Sequence, residues 1–454
     1  MRKYFGTDGI RRIANTELTP ELVYKVAKAG AYVLSKHTDH APLILIGRDT
    51  RISGTLIESA MVAGFLSYGA NVKLLGVMPT PAVAYLTRKL KADASVVISA
   101  SHNTYEFNGI KYFSNKGTKI PDSLEEEIEE VMDSGKLDEL TAVNDKIGVS
   151  EYALELEEEY VYFFRKTFDE VIEKYNKKDF VVGIDTANGA TYKVAEKVFK
   201  ALGINYKIIN NTPNGININD NCGSTHLNNL KQFVKDNHLS LGIAYDGDGD
   251  RCLAVDENGE EIDGDNLLAI ISNNLRKQNK LNKNTIVATV MSNLGLNKYC
   301  ENNDLSFIQT KVGDRYVLEE MLKQGYNLGG EQSGHVILLD YNPTGDGILT
   351  SLMLIKALLE ENKKASELRS FVKKYPQVLV NAKVSSEKKY DYEKNEEIKK
   401  AINDLEQEFA GNGRVLIRPS GTEPLVRVMI EGENQAYISQ KANEIAKLIE
   451  EKLK

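Results

Sequence analysis

PLILIGRDTRISG at 42–54, with the helix-like ESAMVAGFLSYG at 58–69 behind it, sets a short apolar run against a polar loop carrying Gly and Asp, and then a helix. That order is the signature of alternating β and α units, in which parallel sheets dominate. It recurs along the chain. ASVVISASHN at 94–103, DFVVGIDTANGA at 179–190 before TYKVAEKVFKALG, SLGIAYDGDGDR at 240–251 and NTIVATVMSNLG at 284–295 continue the series. Three of the runs, LILIGRD, VVGIDTANG and LGIAYDGDGD, end on an Asp just past the strand, and we read them as the marks of three related α/β units.

Shifts in composition divide the chain. PDSLEEEIEEVMDSGKLDEL at 121–140 reads as a solvated helix, and SEYALELEEEYVYFFRKTFDEVIEKYNKKD at 150–179 as a long surface helix that opens a second domain. After about residue 370 the pattern becomes KKYPQVLVNAKV, a helix-like EEIKKAINDLEQEF, the strand pair GRVLIRPSGTEPLVRVMIEGE and a final amphipathic helix. The expected fold is therefore three related α/β domains with mixed, largely parallel sheets, over 1–150, 151–252 and 253–369, plus a small C-terminal α+β domain over 370–454.

A chain of 454 residues, 42% of them hydrophobic, is long enough for several cores. Its formal charge of -8 argues against a nucleic-acid partner, which calls for a basic excess or stripe, so any phosphate site must be local. Cys222, Cys252 and Cys300 lie far apart without a CxxC pair, which supports neither a disulfide framework nor a zinc site and fits a reducing cytoplasm. The start, MRKYFGTDGIRR, lacks the apolar core of a signal peptide, and no segment approaches the roughly 18 uninterrupted apolar residues of a membrane span. A soluble protein with no membrane partner is expected.

The most specific local signal is ISASHNTYEFNGIKYF at 98–113, which delivers Ser99, Ser101, His102 and Asn103 at the end of a strand, where open α/β sheets bind ligands. Read alone, Ser101 could equally be a cap. DGDGDR follows, with Asp246, Asp248 and Asp250 alternating with glycines; three such carboxylates repel one another unless a cation compensates, and hard oxygen ligands suit Mg²⁺. An EF-hand fails, because its sixth position is Arg251 rather than Gly and the flanks read as strands. RPSGTEPLVR at 418–427 offers Ser420, Gly421 and Thr422 as donors and Arg418 and Arg427 as charges, the look of a phosphate cradle. GGEQSGH at 329–335 supplies Glu331, Ser333 and His335 for sugar hydroxyls, or is a plain polar loop, and TKVGDRYV and PTGDG are weaker still. Thr7, Arg11, Arg48, Asp49 and Arg51, in FGTDGIRR and GRDTRISG, could orient a phosphoserine or pair with nearby acids. Lys111 reads as a solvated lysine or as an acid or base beside Ser101, a role that needs a lowered pKa.

In this order the segments FGTDGIR, GRDTRISG, SASHN, DTANGA, DGDGDR, VGDRYV, GGEQSGH and RPSGTEPLVR resemble the α-D-phosphohexomutase superfamily over essentially the whole chain. NGININDNCGSTH at 214–226, VMSNLGL at 290–296 and Gln332 in GGEQSGH are more similar to its bacterial phosphoglucosamine mutase branch. Two positions depart from the usual pattern: Thr104 stands where proline is usual and Arg12 where glycine is usual.

The resemblance implies four domains around a central cleft, the fourth closing over the substrate phosphate. It implies an intramolecular phosphotransferase of the isomerase class, interconverting glucosamine 6-phosphate and glucosamine 1-phosphate and so feeding amino-sugar nucleotide and cell-wall precursor synthesis. Ser101 would bear phosphate and, with Asp246, Asp248 and Asp250, hold Mg²⁺; Arg11, His102, Lys111 and Arg251 would surround the transferring group. Glu331, Ser333 and His335 would grip the sugar, and Arg418, Ser420, Gly421, Thr422 and Arg427 the phosphate that does not react. The partner is a small hexosamine phosphate, and a homodimer is compatible with this reading. Phosphoserine would donate to the sugar, and the resulting bisphosphate would turn over before returning phosphate to Ser101. The competing readings are a phosphatase with Asp246 as nucleophile and Asp248 as acid, and a non-catalytic sugar-phosphate or calcium sensor.

Overall fold

The computed structural model describes residues 3–6, 8–175, 177–420 and 423–453, whose strands form four sheets. In the first, β1 (Ile10–Ile13), β2 (Leu43–Arg48), β3 (Asn71–Val77), β4 (Ala94–Ile98), β5 (Phe107–Ser114) and β6 (Ser150–Tyr152) run in the order β1-β5-β4-β2-β3-β6. The second joins β7 (Val181–Asp185), β8 (Asn205–Ile209), β9 (Leu241–Tyr245), β10 (Cys252–Asp256) and β11 (Glu261–Ile262) as β11-β10-β9-β7-β8. The third is β12 (Thr285–Thr289), β13 (Ser306–Thr310), β14 (Leu328–Gly330) and β15 (Val336–Leu338), ordered β13-β12-β14-β15. The fourth, β16 (Gln377–Lys383), β17 (Gly413–Pro419) and β18 (Leu425–Gly432), is antiparallel throughout.

Within the first three sheets one pattern is written three times. β5-β4-β2-β3, β10-β9-β7-β8 and β15-β14-β12-β13 each set three parallel strands beside one antiparallel strand that returns next to the third. Every residue of β4, β9, β10 and β12 is buried, which is why these segments read as unbroken apolar runs. The three Asp-ended runs, however, do not mark one unit each. LILIGRD and VVGID are first strands, but LGIAY is β9, the third strand of the second unit, equivalent to β4; the first strand of the third unit is β12. An Asp past a strand end reports only a polar loop, and every parallel strand of such a sheet ends in one. The equivalence that matters falls elsewhere: SASHN, DGDGDR and GEQSGH all occupy the turn between third strand and returning strand.

Two compact units result, residues 1–290 with 306–371, and 291–305 with 372–454. In the second, buried Glu431 on β18 accepts from Asn293 Nδ2 and Leu294 N, both at 3.1 Å, and from Gln377 Nε2 at 3.2 Å, and lies 2.7 Å from Arg414 Nη2. These bonds fasten the helix Leu294–Asn302 to the antiparallel sheet.

Both charged helices lie at the surface but bury one face each. Helix Glu157–Tyr175 buries Tyr160, Phe164, Phe168 and Ile172 at four-residue spacing, and Tyr160 donates to Asp346 at 2.7 Å. Helix Asp122–Asp133 buries Glu125 and Glu129. The Glu129 carboxylate accepts the backbone N–H groups of Lys3, Tyr4 and Phe5 at 2.6, 2.6 and 2.7 Å, so it moors the segment leading into Asp8 and Arg11. A glutamate spent on backbone donors cannot be told from a solvated one by composition.

Glu129→Ala should cost roughly 2 kcal/mol or more, as three N–H groups lose their acceptor, whereas Glu130→Ala on the exposed face should stay within about 0.5 kcal/mol. Urea midpoints at constant slope measure both; equal midpoints would deny Glu129 this mooring.

Candidate functional site

Past β4 the chain enters the left-handed region at Ser101, φ 49°, a conformation costing a side-chain-bearing residue roughly 1 kcal/mol or more. Neighbours hold it there. Ser99 Oγ accepts Ser101 N at 2.9 Å and donates to Asp49 Oδ2 at 2.5 Å, and Arg51 Nε donates to the same oxygen at 2.9 Å. Arg51 Nη2 then donates to the carbonyls of Ser101 and Asn103 at 3.0 and 2.8 Å, and Nη1 to that of Thr104. Asp49 and Arg51 thus pair with each other, one of the two readings open to them, and Arg51 also grips the backbone of the serine loop. Arg48 likewise pairs with an acid, Glu58 at 3.4 Å, and Thr7 lies outside the described residues.

Ser101 Oγ donates to Asp246 Oδ2 at 2.7 Å, which brings the hydroxyl into the acid cluster. The DGDGDR loop joins strands β9 and β10, so the EF-hand is excluded by its flanks. Asp246, Asp248 and Asp250 are buried, with ligand oxygens all within 4.8 Å of one another. A Cβ at Gly247 would sit 2.5 Å from the Ser101 carbonyl, so glycine is what lets the two loops touch. Burial pushes the Asp246 carboxyl well above its usual range, and Asp250 and Asp248 add to it. Asp248 goes the other way: burial raises it, but the Lys111 ammonium at 2.9 Å and the Thr80 hydroxyl at 2.7 Å outweigh that and hold it well below. Asp248 Oδ1 and Asp250 Oδ1 are buried without a hydrogen-bond partner, a donor set that fits a small hard cation.

Around the cluster, Lys111 is completely buried, and although burial pulls it down, Asp248 and Asp8 outweigh that and keep it an ammonium. The lowering that a proton-accepting lysine needs is absent. Burial, with Arg251 and Arg11 adding, pulls His102 down to about 4, which leaves a neutral ring 3.4 Å from Arg251 Nη1. Arg11 donates to Asp8 at 2.8 Å and to Asn103 Oδ1 at 3.1 Å. Arg12, the first departure, donates to the Lys3 carbonyl, and Thr104, the second, offers its carbonyl to Arg51.

The GGEQSGH residues differ in burial and in partners. Ser333 is exposed and donates to Glu331 Oε2 at 3.4 Å, whereas His335 is buried, with Nδ1 3.4 Å from Asp250 and Nε2 3.5 Å from Asp314. Those acids favour a charged ring against burial, but the Gly345 N–H aimed at Nε2 from 3.0 Å requires a lone pair there, so the proton sits on Nδ1, facing Asp250. PTGDG, which read as a turn, thereby orients a site histidine. Sequence reasoning also missed Thr80, Asp8, Lys119 and Asp314 as site residues. Lys119 bridges Asp8 and Asp314, at 2.5 and 2.7 Å, and has no signal of its own; Thr80 begins a helix beyond β3, a strand-end position that could have been noticed.

In the other compact unit, Arg418 and Arg427 stand directly opposite each other on β17 and β18. Ser420 is buried, its carbonyl accepts Lys389 Nζ at 2.9 Å, and its hydroxyl accepts Glu423 N at 3.2 Å. Arg427 is 3.5 Å from Glu423. Gly421 and Thr422 lie outside the described residues.

The sequence matches all four descriptions of phosphoglucomutase/phosphomannomutase domains: alpha/beta/alpha domain I over residues 2–139, domain II over 158–259, domain III over 263–375 and the C-terminal domain over 379–448. It is 53% identical, across all of both chains, to the phosphoglucosamine mutases of Ruminiclostridium cellulolyticum and Acetivibrio thermocellus. Among solved structures, a putative phosphomannomutase from Thermus thermophilus superposes with a TM-score of 0.78 at 23% identity, covering 99% of this chain and 100% of the other. Aspergillus fumigatus N-acetylphosphoglucosamine mutase in complex with GlcNAc-6P and magnesium gives 0.72 at 17% identity, covering 99% and 96%. These two share the fold.

Lys111→Met keeps the apolar stem but strands Asp248 without its cation, and in chelator at pH 7 it should cost about 3 to 5 kcal/mol. Asp248 is held below its unfolded pKa of about 3.9, so the stability that Lys111 supplies through it is full above that pH and lost on acidification. The gap to wild type should therefore narrow toward about pH 3; a gap that widens there would contradict the pairing.

Proposed function

The chain belongs to the phosphoglucomutase/phosphomannomutase family, and on that premise we propose that it interconverts glucosamine 6-phosphate and glucosamine 1-phosphate through phosphoserine at Ser101 and a bisphosphate sugar. The choice of glucosamine rests on the relatives' names. The chemistry rests on one contact, the Ser101 hydroxyl 2.7 Å from Asp246 in a buried cluster of three carboxylates.

In this reading phospho-Ser101, Asp246, Asp248 and Asp250 would hold Mg²⁺, which when bound supplies positive charge to the phosphoryl oxygens. The chain's own part is positional and electrostatic. Lys111, kept charged by Asp248 and Asp8, Arg251 beside His102 and Arg11 beside Asn103 hold fixed positive charge around the serine loop, where charge develops during transfer. Glu331, Ser333 and His335 serve the sugar hydroxyls, with His335 oriented against Asp250. Arg418, Ser420 and Arg427, with Gly421 and Thr422, hold the phosphate that does not react; two arginines opposite each other on paired strands repel, and an anion relieves that repulsion. A cytoplasmic setting accords with the buried cysteines, and no described helix is long and apolar enough to cross a membrane.

The decisive experiment measures turnover on glucosamine, glucose and mannose 6-phosphates side by side, primed with the matching bisphosphate. Glucosamine phosphate should be preferred, and Ser101→Ala should abolish turnover of all three; an active Ser101→Ala protein would leave a phosphatase or an unrelated transferase. Arg418→Ala removes a charge-assisted contact of roughly 1.5 to 3 kcal/mol, so kcat/KM should fall about 10- to 100-fold with Ser101 phosphorylation unchanged. Wild-type efficiency in that variant would reduce RPSGTEPLVR to a hairpin loop.

A further inference from the structure

We propose that Asn219 is a positioning residue for phosphoryl transfer, its side-chain amide fixing the backbone of the loop that carries Ser101; the inference rests on the phosphoserine reading above. Asn219 lies in NGININDNCGSTH, a segment whose sequence pointed to the choice of sugar. Its contacts point to the serine loop. Asn219 is buried, and its Nδ2 donates to the carbonyls of Ser101 and Asn103, both at 2.8 Å. These are the two carbonyls that Arg51 Nη2 reaches at 3.0 and 2.8 Å. Each therefore receives two donors, a guanidinium from the loop after β2 and an amide from the segment after β8.

The amide is itself braced. Asn219 has φ 58° and donates its own N–H to the Ala187 carbonyl at 2.9 Å. Thr50 Oγ1 donates to the Asn188 carbonyl at 2.5 Å, and Ile52 N to the Gly215 carbonyl at 2.8 Å, so the loops of the first two sheets are pinned at several points. The acid loop closes over the same spot: a Cβ at Gly247 would lie 2.7 Å from Asn219 Nδ2. Three loops thus meet at one amide. Because Ser101 sits in a strained conformation, the direction of its hydroxyl depends on what grips its carbonyl, and displacements of about 1 Å at a reacting group cost on the order of 10²-fold.

The test compares wild type with Asn219→Asp, Asn219→Gly and Asn221→Asp. Aspartate keeps the size but turns oxygen toward two carbonyls; glycine tolerates the positive φ and removes the amide. Asn221, φ 51°, is exposed and bonded to Asp220, and controls for altering an Asn of this segment. Three quantities are read: the rate at which dephosphorylated protein takes phosphate from hexose 1,6-bisphosphate, by intact mass; kcat and KM; and the thermal midpoint. Both Asn219 variants should lose about 10²-fold in phosphorylation rate and kcat, with KM changed less than about threefold and Asn221→Asp like wild type. Should the aspartate variant fail to fold, the glycine variant decides. Rates within about twofold of wild type in Asn219→Gly, or a loss wholly in KM, would overturn the proposal. A wild type that accepts phosphate from the bisphosphate yet ignores glucosamine phosphate would sink the assigned substrate and leave this inference standing.

Discussion

Lys111 and Asp248, buried and 2.9 Å apart, form the pair on which the remaining site depends. Three carboxylates converge in a space that cannot carry three bare charges, and one lysine on β5 pins the middle one in its ionised form. Asp246 is driven the opposite way, so that neighbours separated by one glycine differ in charge tendency. Asp246 receives the Ser101 hydroxyl, while Asp248 Oδ1 and Asp250 Oδ1 stay without a hydrogen-bond partner and so are open to a cation. The same lysine ties Asp8 into the cluster, and Asp8 leads through Lys119 to Asp314 and His335. Asp248, Lys111, Asp8, Lys119 and Asp314, drawn from separate segments, are thereby held in alternating sign, which makes a dense polar interior tolerable.

Much of this is legible in the sequence. Repeated apolar runs announced parallel strands because β4, β9 and β12 are covered on both faces. The acid loop was legible because three carboxylates alternating with glycine have few uses, whereas Ser101, which alone could be a cap, was singled out by the resemblance. What stayed hidden has a common physical cause: roles assigned by distant partners. Glu129 looks like its exposed neighbour Glu130 until the N-terminal backbone folds onto it. His335 sits two residues from Ser333, yet its ring is spent on Asp250 and Gly345. Lys111 invited a lowered pKa from burial alone, and two carboxylates outside its own segment reverse the sign. Nor does any local pattern announce that Asn219 and Arg51 share two carbonyls.

The recurrence of one strand pattern has a thermodynamic side. The SASHN, DGDGDR and GEQSGH loops occupy the same turn in three successive sheets, between a third strand and the antiparallel strand returning beside it. A crossover loop ends in a helix that can slide on its sheet, whereas a turn clamped between two hydrogen-bonded strands has both ends set by ladder pairing. Its closure entropy is spent once, in forming the sheet, instead of each time a ligand arrives. Ser101, the carboxylate triad and the GEQSGH residues thus ride on connections with both ends set by strand pairing, and length changes that ordinary surface loops absorb would here shift a serine or a carboxylate off its mark.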